Sequence, residues 1–266
     1  MPELIDFAVI LAATGALAGL IGGLMGVGGG FVIVPILYNI LPALGVSQSV
    51  AMSMAVATSL ATIAFTSAVA GLLRGPASIA SSPSLRLALP AGAGAVVGGA
   101  LAGTLDARML TLLFATTAFL VAFYLTLLRA MVWADAPVGG TSRAIAGGLL
   151  GAVGVLTGTA GRALGIPLLT LMGVGQSEAM ATMARLAVFI AVPGSIAFIV
   201  VGAGDPRVPP GSLGYVNLLG VSIMAPVALL FLAVGERLAR SVPPTFLSVA
   251  FALYLIAVGA RMVTSL

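Results

Sequence analysis

The sequence predicts an all-α, polytopic membrane protein, and three observations carry that prediction. Of 266 residues, 61% are hydrophobic and only 7% charged, against about 25% charged in soluble domains. So few charges cannot cover a water-facing surface. The apolar residues fall into about eight hydrophobic segments, arranged as two duplicated four-segment halves. At corresponding places in both halves, 22–35 and 154–167, clustered glycines break the run, which predicts interrupted or re-entrant helices.

A spanning helix needs ~20 apolar residues, and the runs meet that length in order. The first covers Phe7 to Leu41 and contains the first glycine cluster; the second covers Gln48 to Leu73. Leu87 to Leu105 and Met109 to Val132 complete the first repeat, residues 1–133. The second repeat, residues 143–266, holds Ala144 to Leu171 with the second cluster, then Gln176 to Val201, Leu213 to Val234 and Phe246 to Val263. Pro, Gly and charge punctuate the loops at Arg74–Pro83, Ala134–Ser142, Gly204–Gly211 and Arg240–Pro244. None of these is long enough to hold a soluble domain.

The duplication is visible residue by residue. Gly15, Gly19, Gly22, Gly26, Gly29, Pro35 and Leu37 recur 132 positions later as Gly147, Gly151, Gly154, Gly158, Gly161, Pro167 and Leu169. Gly103, Ala107, Arg108, Phe114, Ala118 and Arg129 match Gly235, Ala239, Arg240, Phe246, Ala250 and Arg261 at the same offset. Gln48-Ser-Val-Ala-Met52 matches Gln176-Ser-Glu-Ala-Met180 at an offset of 128. Duplicated halves with matching broken helices point to a transporter site. Crossing and re-entrant readings of the breaks both sort the loop arginines six against three, so the positive-inside rule leaves the orientation open; inverted repeats are the preferred reading.

All eleven basic residues are arginine, and His and Cys are absent. That excludes disulfide, thiolate and His-metal chemistry and removes the usual proton shuttle; no metal and no cofactor are expected. The net charge of +4 comes from arginines scattered singly between apolar runs, which argues against nucleic acid as a partner. The acidic start, Met1-Pro-Glu-Leu-Ile-Asp6, has no basic n-region, so no cleaved signal is expected despite Ala16-Leu17-Ala18.

Chemistry concentrates at the breaks. Gly15 and Gly19 are explained by close helix packing, but three consecutive glycines, Gly28, Gly29 and Gly30, need a backbone break. The short helix beyond each break would aim free N–H groups and positive potential at a ligand, which favours an anion. Gly161 supplies the same in the second copy, where Arg162 replaces the third glycine. Arg185 lies deep in the sixth segment, and a charge at that depth costs several kcal/mol and marks function by default; the alternative for Arg162 and Arg185 is structural, capping carbonyls freed by the broken helices. Glu178, Thr182 and Arg185 are spaced to share a helix face; Glu178 is the carboxylate nearest membrane depth and the candidate for proton coupling, or else a helix-start residue. Thr58, Ser59 and Thr159 are candidate supporting hydroxyls. Gln48 and Gln176 follow the expected N-cap positions Ser47 and Gly175 and either reach the ligand or finish the caps. Ser59, Thr62 and Thr66 form a hydroxyl stripe of the kind that usually joins helices.

Gly26-Val-Gly-Gly-Gly-Phe-Val-Ile-Val-Pro35, Leu44-Gly-Val-Ser-Gln-Ser-Val-Ala51, Ala57-Thr-Ser-Leu60 and the closing Gly235-Glu-Arg-Leu-Ala-Arg240 resemble the sulfite exporter TauE/SafE family over nearly the whole chain. The resemblance implies a multi-pass transporter of the inner membrane for sulfite, sulfonates and related small anions. The second break departs from the family pattern: Gly158-Thr-Ala-Gly-Arg162 stands where a Gly-x-Gly-Gly-Gly stretch is usual, and Ala184-Arg-Leu186 is the nearest counterpart of Thr58-Ser-Leu60.

The expectation is therefore a secondary transporter, an exporter rather than an importer, for a small anion, sulfite or an organosulfonate, working by alternating access in the cytoplasmic (inner) membrane. A passive anion channel and an uptake carrier are the alternatives, with an intramembrane enzyme or scaffold more remote. The partners expected are the anion and the lipid bilayer, and self-association into a homo-oligomer is left open.

Overall fold

A computed structural model describes residues 2–74, 82–128, 140–171 and 173–265. Arg129, most of Arg74–Pro83 and most of Ala134–Ser142 lie outside the described residues. The described chain forms ten α-helices in one repeated order. Helix α1 (Pro2–Met25) is followed by the first break and the short α2 (Gly30–Ile40), then by α3 (Gln48–Arg74), α4 (Ser82–Ala102) and α5 (Ala107–Phe123). Helix α6 (Gly140–Leu156) leads to the second break and the short α7 (Arg162–Leu171), then to α8 (Gln176–Val201), α9 (Leu218–Leu238) and α10 (Pro244–Thr264). Six helices are long and apolar enough to span a membrane. Outward side chains such as Leu89 and Leu72, 84% and 75% exposed, give the bundle the apolar exterior that lipid requires.

Both breaks lie where the glycines place them, and their backbones match at two positions but part at the last glycine, where Gly161 has φ of +73° and Gly29 −76°. Gly26 and Gly28 have φ of +70° and +81°; Gly158 and Ala160, 132 positions on, have +68° and +51°. Gly29 meets Ala18, since a Cβ on Gly29 would sit 2.7 Å from the Ala18 Cβ. The chain therefore doubles back along α1 and starts α2 seven residues inside its end, about 10 Å at 1.5 Å per residue. Both short helices are separated from the preceding helix by a break, and with 11 and 10 residues neither is long enough to span a membrane alone. Ala160 is the one described non-glycine residue with positive φ, a conformation costing roughly 1–2 kcal/mol with a Cβ present. Ala160→Gly is expected to raise stability by about 0.5–1 kcal/mol after glycine's entropy cost is subtracted, measured as a higher melting temperature in detergent.

Small residues set the packing, because in lipid helices associate by close approach rather than by hydrophobic burial. Gly15, Gly19 and Gly23 bring α1 against Met224, Ala228 and Leu232 of α9, with backbone close enough that a Cβ would fall 2.7, 2.2 and 2.4 Å from their carbonyl oxygens. The matching pair is α4 and α6, joined at Gly94–Gly148 and Gly98–Ala152. Each half thus supplies the partner for the other's first helix. Helices α3 and α8 occupy the same place in the repeated order but run antiparallel: Leu60 touches Gly194, while Ser67 and Ala184 both meet Arg162.

The first short helix is also tied to the far side of the bundle. Pro35 lacks the N–H that would bond the Phe31 carbonyl four residues earlier. Tyr254 of α10 donates its hydroxyl to that carbonyl at 3.1 Å. Phe31 stacks edge-on against Phe114 of α5 and Phe251 of α10, with centroids 5.5 and 6.1 Å apart. Tyr124 and Thr170 share a hydrogen bond between α7 and the π-helical turn after α5.

The run expected from Leu213 begins instead with a two-stranded hairpin, β1 (Ser212–Leu213) and β2 (Val216–Asn217), before α9 starts at Leu218. Asn217 caps α9 by accepting from Gly220 N at 2.7 Å, and its own N–H donates to Thr58 Oγ1 at 3.0 Å. Arg207 forks onto Asp205 at 2.9 and 2.7 Å and reaches Ser49 at 3.2 Å, while Tyr215 donates to Asp205 at 2.9 Å. The Arg207 guanidinium beside Asp205 holds that carboxyl well below the usual carboxylate range. This polar cluster fastens the α8–α9 connection to the start of α3.

Candidate functional site

A cavity of about 570 Å³ lies among the end of α1, the second half of α3, the first half of α8 and the second half of α9. The first break, with Gly26, Gly28 and Gly29, forms one of its walls. The N–H groups of Gly28 and Gly29 have no acceptor among the described residues; Gly29 is the N-cap of α2, where a helix offers no carbonyl, and Gly28 precedes it in the left-handed turn. Both residues line the cavity.

The second break enters the same cavity through a side chain instead of its backbone. Thr159 N and Ala160 N both donate to the Gly154 carbonyl, at 3.0 and 3.1 Å, and Arg162 N donates to Thr159 O at 3.3 Å. The turn that glycine opens at 26–30 is closed on itself at 158–162. Arg162, at the start of α7 and only 8% exposed, lines the cavity. Its Nη2 donates to Ser67 Oγ at 2.8 Å and to the Ala184 carbonyl at 3.4 Å. Its stem lies on Gly28, where a Cβ would stand 3.2 Å from Arg162 Cδ. A guanidinium and a helix N-terminus are both positive, and placing them together raises the potential that an anion would relieve. Arg185 lines the same cavity from α8, half-buried.

The other predicted residues are distributed as follows. Gly30 is packed on the second break, Gly161 against Ile190 and Leu150, and neither lines the cavity. Ser59 donates to the Gly158 carbonyl at 2.8 Å, so α3 of the first half braces the break of the second. Thr58 holds the hairpin, as above, and Thr159 shares a hydrogen bond of 3.0 Å with Thr157. Gln48 and Gln176 are exposed at their helix starts, with Gln176 beside a separate small pocket near Tyr124. Glu178 is exposed in the first turn of α8, where the helix dipole favours it. Thr182 is buried outside the cavity, so the stripe expected from Glu178 to Arg185 contributes only its arginine.

Two polar lining residues outside the hydroxyl stripe of α3 were not among the predicted site residues. Ser67 is one; Glu236 is the other, an exposed carboxylate on α9 at the cavity's edge. Its signal was the closing Gly235-Glu-Arg motif, whose glycine packs on Leu20 and Gly23 and so sets the glutamate beside the end of α1. The opposite pair of helices, α4 and α8, is in close contact. Gly99 of α4 is pressed on Ala197 of α8, and Gly103 on Val201, with Cβ distances of 2.2 and 2.7 Å.

Residues 11–262 match the sulfite exporter TauE/SafE family. The chain belongs to that family. A curated relative in Haemophilus influenzae, described as a "Probable membrane transporter protein", is 30% identical over 261 residues, covering 96% of this chain and 98% of the relative. No solved structure gives a significant match. As a TauE/SafE member with six candidate spans, the protein is a multi-pass membrane transporter.

Proposed function

We propose that the protein exports a small anion, sulfite or an organosulfonate, across the cytoplasmic membrane by alternating access. The observation that carries this reading is the meeting of Arg162 with the open amides of Gly28 and Gly29 on one cavity wall. Arg185 adds a second positive group. The family name supports sulfite and its relatives, and exit as the direction. We read 1–133 and 143–266 as inverted repeats, supported by the exchanged helix pairs and the antiparallel run of α3 and α8. Alternating access is supported by the contrast between the cavity beside α3 and α9 and the tight contact of α4 with α8.

The test is flux from proteoliposomes loaded with sulfite or methanesulfonate. Release is expected to saturate with concentration and to accelerate under an imposed proton or sodium gradient. Unsaturable flux indifferent to every ion gradient would mark a channel and overturn the carrier.

A further inference from the structure

Ser67 is buried, 7% exposed, and lines the cavity. A serine in an apolar helix ordinarily gives its proton to the carbonyl four residues back. Its neighbours do so: Thr62 donates to Thr58 O at 2.8 Å, and Thr66 to Thr62 O at 3.0 Å and Ile63 O at 3.2 Å. The second half holds an internal control. At the 128-residue offset that aligns the two Gln-Ser motifs, Ser67 corresponds to Ser195, equally buried, which donates to Ala191 O at 2.7 Å.

Ser67 behaves differently. Its oxygen accepts from Arg162 Nη2 at 2.8 Å, and no described carbonyl takes its proton. A hydroxyl that accepts from a cation is polarised, which strengthens it as a donor. We infer that Ser67 is a substrate-binding and specificity-determining residue: its hydroxyl fixes the Arg162 guanidinium and donates its own proton to an oxygen of the bound oxyanion. The inference rests on the anion site proposed above. It favours a ligand with separate acceptor oxygens, one for the guanidinium and one for the hydroxyl, as a sulfite or sulfonate group presents, over a spherical halide.

The test compares dissociation constants for sodium sulfite and methanesulfonate, with chloride as the spherical control, in wild type, Ser67→Ala, Ser67→Thr, Ser195→Ala and Arg162→Ala. Ser67→Ala is expected to weaken both oxyanions about 10- to 100-fold, the range for a hydrogen bond to a charged group, with little change in the melting temperature of the unliganded protein. Ser67→Thr is expected to recover affinity to within about threefold, and Ser195→Ala to match wild type. If Ser67→Ala does not fold, Ser67→Cys gives the same reading, being close in size and a poor donor. Unchanged oxyanion affinity in Ser67→Ala or Ser67→Cys, or equal losses for oxyanions and chloride, would overturn the role of Ser67. If Arg162→Ala also binds like wild type, the anion site itself is wrong.

Discussion

Arg162→Ala is expected to leave the protein inserted and folded while raising the dissociation constant for sulfite or methanesulfonate by about 100-fold or more. Removing a buried, hydrogen-bonded charge from its partner typically costs 2–5 kcal/mol, and each 1.4 kcal/mol is tenfold. Arg162 lines a cavity that already exists, so truncation widens that space rather than opening a new void. Arg162→Lys should recover only part of the loss, since an ammonium cannot reproduce the planar fork. Ligand-induced thermal shift measures both: wild type is stabilised by sulfite, and Arg162→Ala is not. An Arg162→Ala protein with undiminished sulfite-induced stabilisation would remove the central residue of the site.

Gly30→Val is expected to be strongly destabilising. A Cβ there would stand 2.4 Å from the Gly158 carbonyl oxygen and 2.9 Å from Thr159 Cα. Both are backbone atoms of the opposing break, and Ser59 holds the same carbonyl from the other side. Neither surface can yield without moving a short helix. Overpacking costs typically 1–3 kcal/mol and sometimes more, and the rigid setting places this site at about 3 kcal/mol or beyond. The readout is loss of monodisperse protein in detergent, with Gly175→Ala as the control. A Cβ on Gly175 would meet nothing within 4 Å, and the residue's φ is negative, so its substitution should shift the melting temperature by no more than a degree or two.

The breaks were legible in the sequence because consecutive glycines are costly in a helix and cannot be explained by one packing face. Gly15 and Gly19 were legible as packing residues for the converse reason: they recur on a single face. The unequal use of the two breaks was not legible. Gly158-Thr-Ala-Gly161 has nearly the glycine spacing of Gly26-Val-Gly-Gly29, yet the amides of Thr159 and Ala160 fold onto Gly154 while that of Gly28, the counterpart of Ala160, has no such bond. That difference depends on two turn hydrogen bonds, which spacing does not encode. Arg162 and Arg185 could be picked out because a charge at membrane depth is rare. Ser67 could not, since it is one hydroxyl among several on α3 and only the fold brings it to an arginine 95 positions away. The same limit applies to Thr58 and Ser59, whose hydroxyls are engaged by Asn217 and Gly158 from the other half.

The exchange of partners between halves has a consequence for biogenesis. The glycine face of α1 is complementary to α9, and Gly15 is translated about 200 residues before Met224. At ribosomal speeds of roughly 5–20 residues per second, the first helix waits on the order of 10–40 seconds for its mate. Throughout that interval a notched, weakly adhesive surface faces the translocon or the acyl chains, and a chain truncated before α9 would be left permanently in that unmated condition.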